Sequence, residues 1–229
     1  MSSEFRRRQV VVWSWSLAPA SPASGADEAL LSDEERVRYR SFARPDLQHR
    51  FLAAHAGLRR ILAQHLGADP GALVFEANAH GKPRLAGRGP VHFSLSHSGD
   101  RAVLAVSDAE VGADVERLRC FDHLALARRY FHATEVSALL DLAGEEQRRA
   151  FFLTWTLKEA VVKALGLGLS VPLDSFAVAI GAPGPRLVLA PDGASPLWSL
   201  QGAVEGGYCV ALAVPDAAGV ELIQRALDG

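Results

Sequence analysis

The sequence predicts an α+β fold made of two lobes of similar plan, and three observations carry that prediction. Helix-like and strand-like segments are mixed along the chain without the βαβα rhythm that would demand a parallel sheet. The order strand, helices, strands occurs twice, once up to about Ser107 and again from Val111, although no residue-level repeat links the copies. One stretch, Phe151 to Gly166, reads as a helix buried on nearly every side, around which a lobe would pack. The lobes are therefore set at residues 1–108 and 109–229, a length that can bury a substantial core.

Bulk composition removes several function classes. Lys and Arg number 24 against 26 Asp and Glu, net −2, which gives no global reason to expect a nucleic-acid partner or disorder. Any anion site must be local. Cys120 and Cys209 lie far apart without metal-type spacing, so neither a zinc site nor a disulfide framework is implied, and a reducing cytoplasm fits. No apolar run approaches the ~20 residues of a membrane span, so no membrane partner is expected. Arg6-Arg7-Arg8, Val10 to Trp13 and the small residues up to Ala26 superficially resemble a secretory signal. The apolar run is short and broken by Ser14 and Ser16, and its Val and Trp content suits a first strand, Gln9 to Leu17, equally well.

After that strand and a Pro/Ala/Ser loop, Ser32-Asp33-Glu34-Glu35 is a capping box that opens a helix. Its Arg36, Arg38 and Arg40 read mostly as a solvated face. Pro45-Asp46 breaks it, and a second helix from about Asp46 to Leu66 sets Arg50, Arg59 and Arg60 among Phe51, Leu52, Leu58, Ile61 and Leu62 before stopping at Gly67. Leu73-Val74-Phe75 reads as a short strand. In the turn His80 to Leu85, Gly81 supplies freedom and Pro83 fixes the backbone, holding Lys82 at a defined place. Val91 to Ser98 alternates with period two, with Phe93, Leu95 and His97 on one face and Ser94, Ser96 and Ser98 on the other. Arg101 to Ser107 returns as a hairpin. Val111 to Glu116 alternates again, so Asp114 and Glu116 share one face while Ala113 and Val115 pack on the other. Helical segments at Phe121–Phe131 and Thr134–Leu142 lead into the central helix. Strands follow at Ser175–Ile180, Arg186–Leu189, Leu197–Leu200 and Tyr208–Val214, separated by Gly/Pro/Asp turns.

Three local patterns carry chemistry. On the central helix, Phe151, Phe152, Trp155 and Val162 fill one face and Leu153, Leu157 and Val161 another, leaving a narrow polar strip of Thr156, Glu159 and Lys163. A carboxylate in those surroundings costs on the order of ~2 kcal/mol or more unless something meets its charge. Lys163, four residues on, is the local candidate, worth roughly 0.3 kcal/mol. Asp114 and Glu116 repel each other, which fits either a solvent-facing edge strand or, with Gly112 just before them, a pair of Mg²⁺ ligands. Ser96 and His97 do not make a hydrolase pair. There is no Gly-x-Ser-x-Gly elbow, and neighbours on a strand point to opposite faces. A strand tip offering hydroxyls, imidazole and turn amides suits phosphate better.

Gly81-Lys82-Pro83, Phe93-x-x-Ser96-His97-Ser98, Gly112-x-Asp114-x-Glu116 and Trp155-x-x-Lys158-Glu159-Ala160-x-x-Lys163, in this order and spacing, resemble the Sfp-type 4'-phosphopantetheinyl transferases. These signatures span about residues 81 to 166, and the Val/Trp-rich first strand, Arg-rich helical pair and β-rich tail look similar too. The resemblance implies a monomer of two pseudo-symmetric α/β lobes with coenzyme A in the cleft between them. It implies transfer of the phosphopantetheine arm to a serine hydroxyl of apo acyl or peptidyl carrier proteins, with release of 3',5'-ADP. By motif, Asp114, Glu116 and Glu159 look like ligands of Mg²⁺, with Mn²⁺ able to substitute. Lys82 with Pro83, Ser96, His97, Lys158 and Lys163 look like ligands of the coenzyme A phosphates, and Arg50 and Arg38 are similar in position to basic residues near the 3'-phosphate. Catalysis would rest on Glu159, Glu116 and Lys163, with Glu159 the first candidate to take the serine proton and Glu116 the second. Two positions depart from the family pattern: Ala113 stands where a larger aliphatic is common, and Ser94 where Asn is frequent. A catalytically silent carrier-binding module on the same fold is the alternative, and it would be expected to lack a carboxylate or a phosphate lysine. None is missing. Another Mg²⁺-dependent nucleotide enzyme finds no P-loop or kinase signature. Acidic carrier helices would meet basic or apolar surface near the cleft.

Overall fold

Two sheets lie face to face, and each is covered on its outer side by a helix of 22 residues. The computed structural model describes residues 8–18, 25–87 and 91–227. The first half runs β1 (Arg8–Ser16), α1 (Gly25–Leu30), α2 (Asp33–Ser41), α3 (Pro45–Leu66), β2 (Phe75–Ala77), β3 (Pro83–Leu85), β4 (His92–Ser98) and β5 (Arg101–Ser107). The second runs β6 (Gly112–Arg117), α4 (His123–Tyr130), α5 (Ala133–Leu140), α6 (Gly144–Leu165), β7 (Ala177–Ala179), β8 (Arg186–Leu189), β9 (Trp198–Glu205), β10 (Tyr208–Pro215) and β11 (Val220–Ala226). Strand order is β11-β1-β5-β4 in one large sheet and β6-β10-β9 in the other, with small hairpins β2-β3 and β7-β8 beside them.

Alternation along the strands decides which core each residue enters. Trp13 and Trp15 of β1 face α3 and pack with Leu58, Ile61, Leu62 and Phe93. Val10 and Val12 face the other way and meet Ala113, Val115, Leu212 and Val214 of the second sheet. On the far side of that sheet, Ala211 and Ala213 of β10 receive Leu157, Ala160, Val161 and Ala164 of α6. The layers are therefore helix, sheet, sheet, helix.

Three elements were not expected. α1 forms in what reads as a loop, β3 pairs with β2 inside what reads as the turn His80 to Leu85, and β11 runs parallel to β1 with Leu222 opposite Val10. The expected lobe boundary at 108/109 falls in the turn between β5 and β6, yet the last strand crosses back over it to complete the first sheet. The expected secretory-like start lies partly outside the described residues, and from Arg8 onward that segment is β1. Among the described residues no helix is long and apolar enough to cross a membrane.

The capping box at Ser32 does more than start a helix. Glu35 returns Oε2 to the Ser32 amide at 2.8 Å, and the same carboxylate takes Arg59 Nε at 2.8 Å and sits 2.8 Å from His55 Nδ1 on α3. Arg59 is 1% exposed and also donates to the carbonyls of Pro70 and Leu73. Burial alone would raise the Glu35 pKa, but the His55, Ser32 and Arg59 contacts outweigh it and hold the group at about 2 rather than 4.5. A depressed carboxylate stabilises the fold above its unfolded pKa, and that stability drains away as pH falls toward the folded one. The shift corresponds to about 3 kcal/mol. Glu35→Gln should accordingly lose about that much in denaturant melts at pH 7, and the gap to wild type should close as pH drops from about 4.5 toward 2. Equal stability at pH 7 would show that the Glu35 cluster holds nothing together.

Candidate active site

The site begins with a glycine. A Cβ on Gly112 would lie 1.9 Å from the Ala160 carbonyl oxygen and 2.5 Å from the Ala164 amide nitrogen, so β6 rests directly on the backbone of α6. No side chain separates them. That close approach brings Asp114 and Glu116, two and four residues along the strand, beside Glu159 and Lys163, which flank Ala160 on the helix. α6 ends at Gly166, whose left-handed backbone (φ 67°) closes the last turn.

Asp114 is 4% exposed. Its Oδ1 accepts from Ser96 Oγ at 2.7 Å and from Lys163 Nζ at 2.6 Å, while its buried Oδ2 has no hydrogen-bond partner among the described residues. Glu116 Oε2 accepts from Ser98 Oγ at 2.8 Å, with Arg119 further off at 3.7 Å. Glu159 makes no ion pair or side-chain hydrogen bond among the described residues. The local partner expected for it, Lys163, reaches across to Asp114 instead. Burial raises the pKa of Glu159, and Asp114 and Glu116 add to the rise against the pull of Lys163. Burial and Asp114 likewise raise Glu116, against Ser98, Arg119 and Lys163. Burial is the larger cause for both acids, and the charge of Asp114 adds to each.

As the side chains stand, no three His, Cys, Asp or Glu groups among the described residues are close enough together to hold a metal ion. The Lys163 ammonium supplies the positive charge against Asp114. The chemistry of the donor set nevertheless fits a hard divalent cation: carboxylate oxygens only, mutual repulsion, and one buried oxygen left orphaned.

The expected phosphate ligands separate into four groups. Lys163, 32% exposed at its side chain, and His97 face open space. Ser96 does not. Its proton goes to Asp114, and its two lone pairs receive the Val115 amide (3.3 Å) and Lys163 (2.9 Å), which exhausts what a hydroxyl can do. Lys82 lies on the wall of the cleft, yet its ammonium is tied to Glu110, to the Ala164 carbonyl at the C-terminal end of α6 (3.0 Å) and to the Val111 carbonyl (3.4 Å).

Lys158 is the clear correction. It is 0% exposed and points into the core, with Nζ 2.7 Å from both oxygens of Glu135 and from the Phe176 carbonyl, and 4.2 Å from the Phe176 ring centroid. Glu135 is itself satisfied by the amides of Val178 and His132. One position of an α-helix turns the side chain by roughly 100°, and here that turn carries Lys158 from the side of the cleft into the core. Lys158 pins α5, α6 and β7 together.

Two openings adjoin the carboxylates, and β4 contributes to both. The larger, about 640 Å³, is walled by Gly81, Pro83, Tyr130 and Trp155, with Glu159 and Lys163 at its polar end. Tyr130 and Trp155 meet edge-on at 6.1 Å. The smaller, about 420 Å³, gathers Arg38, Arg50, His55 and His97 over Phe42 and Phe51. Arg50 is braced by Asp46 and Asp100. Burial of part of its ring lowers the pKa of His97, and the neighbouring His55, Lys163 and Arg50 lower it further. His55, Tyr130, Glu110 and Glu135 were not anticipated from the sequence. The His132-x-x-Glu135 cap is the one visible signal among them.

Residues 110–213 match the family model described as the 4'-phosphopantetheinyl transferase superfamily. The chain is similar to the 4'-phosphopantetheinyl transferase Sfp of Bacillus subtilis (strain 168), 33% identical over 184 residues that cover 80% of this chain and 82% of that protein. It is similar to the 4'-phosphopantetheinyl transferase HetI of Nostoc sp. at 35% over 204 residues, 86% of this chain and 84% of that one. It is also similar to the 4'-phosphopantetheinyl transferase psf-1 of Bacillus pumilus at 36% over 179 residues, 76% of this chain and 74% of that one.

Proposed function

The chain belongs to the 4'-phosphopantetheinyl transferase superfamily, and from that premise we propose how its cleft moves the phosphopantetheine group of coenzyme A onto a serine of apo carrier proteins. It is an enzyme of this class. In the transfer, the serine oxygen bonds to the phosphorus that carries pantetheine, the bond from that phosphorus to the departing 3',5'-ADP breaks, and the serine proton leaves to a base. Phosphoryl transfer of this kind asks chiefly for positioning and for charge neutralisation.

The observation that carries the assignment is the gathering of Asp114, Glu116, Glu159 and Lys163 at the junction of β6 and α6. Asp114, Glu116 and Glu159 would hold Mg²⁺, or Mn²⁺ in its place, which when bound offsets the charge on the diphosphate. Lys163 meets the same diphosphate from the helix. The smaller opening, with Arg38, Arg50, His55 and His97, suits the 3'-phosphate, and the larger one offers aromatic walls to the neutral parts of coenzyme A. Glu159 takes the serine proton. It is the one acid of the three whose carboxylate is not already held by a serine hydroxyl.

A complete cleft within one chain supports action as a monomer. Two unpaired thiols, Cys120 exposed and Cys209 buried, suit a reducing cytoplasm. Incubation with coenzyme A, Mg²⁺ and a panel of apo carrier domains should add one phosphopantetheine mass to at least one carrier and release 3',5'-ADP in equal amount. Failure on every carrier of a panel that a known transferase modifies in full would overturn the assignment.

A further inference from the structure

β4 and β6 are the edges of different sheets, and they run side by side without joining one ladder. Side chains span the gap. Every second residue of β4 between Ser94 and Ser98 is a serine. Their hydroxyl oxygens accept the amides of Ala113 (2.9 Å), Val115 (3.3 Å) and Arg117 (3.1 Å), which are every second residue of β6. The hydroxyl protons then go to the Ala113 carbonyl at 3.4 Å, to Asp114 Oδ1 at 2.7 Å and to Glu116 Oε2 at 2.8 Å. Each acid therefore has one oxygen pinned by a serine. Asp114 Oδ2 and Glu116 Oε1 are left without a hydrogen-bond partner among the described residues.

We propose that Ser96 and Ser98 are positioning residues for the cation-holding acids: they fix the register of β6 on β4 and turn Asp114 Oδ2 and Glu116 Oε1 toward the same point. The proposal rests on the reading of Asp114 and Glu116 as cation ligands. It assigns the two hydroxyls to the acids and not to the phosphates of coenzyme A. Ser98 is the better probe, because Ser96 also carries Lys163.

The test titrates the ligand-free protein with Mn²⁺, read by loss of the free-ion spin signal, alongside kcat, KM for coenzyme A and thermal midpoints. Ser98→Ala should weaken Mn²⁺ by about tenfold, as loss of an outer-shell hydrogen bond to a ligating group does, and should lower kcat at limiting Mg²⁺. KM for coenzyme A is read alongside because Ser98 also lines the smaller opening: a raised KM with unchanged Mn²⁺ affinity would place its hydroxyl on the substrate and overturn the positioning role. Ser98→Thr, which keeps the hydroxyl on a strand, should restore both. Should the alanine variant fail to fold, Ser98→Cys, similar in size and a weak donor, reads the same loss. Wild-type Mn²⁺ affinity in the folded alanine or cysteine variant would overturn the positioning role and leave the acids' role standing. A wild-type protein that binds no Mn²⁺ would instead overturn the acids' role, and the proposal with it.

Discussion

Glu159→Gln should bind coenzyme A nearly as wild type does and yet form holo-carrier about 10³-fold more slowly. The amide keeps the shape of the side chain, so the aromatic wall of Trp155 and Tyr130 stays in place. What disappears is the acceptor proposed for the serine proton and one of three negative charges. The same change should make the protein more stable. A carboxylate whose folded pKa is raised stabilises the fold only below its unfolded pKa, and that contribution is lost as pH climbs through the folded value. At neutral pH, ionised Glu159 is therefore a cost, imposed by burial and by Asp114 and Glu116. Removing it should raise the thermal midpoint while activity falls, the usual trade at a site built for function. A Glu159→Gln enzyme with a wild-type rate of mass gain on the carrier would remove Glu159 from the chemistry.

Gly112→Ala is expected to cost about 3 kcal/mol or more and to abolish turnover. The added methyl would meet the Ala160 carbonyl at 1.9 Å and the Ala164 amide at 2.5 Å, and neither is a side chain that can swing away. β6 would have to lift off α6, carrying Asp114 and Glu116 away from Glu159 and Lys163. Stability and site geometry fail together because one contact supplies both. Denaturant melts and holo-carrier assays on the same preparation check it. A variant that melts with wild-type stability and turns over normally would mean that strand and helix do not touch there.

The parts of this structure that follow from local periodicity were legible in the sequence. Asp114 and Glu116 share a face of β6 because side chains alternate, and the polar strip of α6 holds Glu159 and Lys163 because helical side chains recur every three to four residues. The same wheel leaves Lys158 off the strip. Its assignment as a phosphate ligand came from motif likeness alone, and the buried pair with Glu135 replaces it. Partners distant in sequence were not legible. The three serines of β4 were correctly placed on one face, but nothing local says that β6 lies against that face and takes their bonding capacity. β11 pairs with a strand some two hundred residues away, and its half-buried, mixed-polarity residues give a weak alternating signal. Glu35 was legible as a cap. Its second task, meeting Arg59 and His55, depends on how α2 packs on α3.

Chelation tests the central claim most directly, namely that the acids of β6 and α6 serve a divalent ion during transfer from coenzyme A to carrier. With coenzyme A and an apo carrier that the enzyme modifies, mass gain on the carrier should stop in excess EDTA and return in full when Mg²⁺ or Mn²⁺ is added beyond the chelator. Undiminished transfer in EDTA, after the enzyme has been stripped of metal, would contradict it.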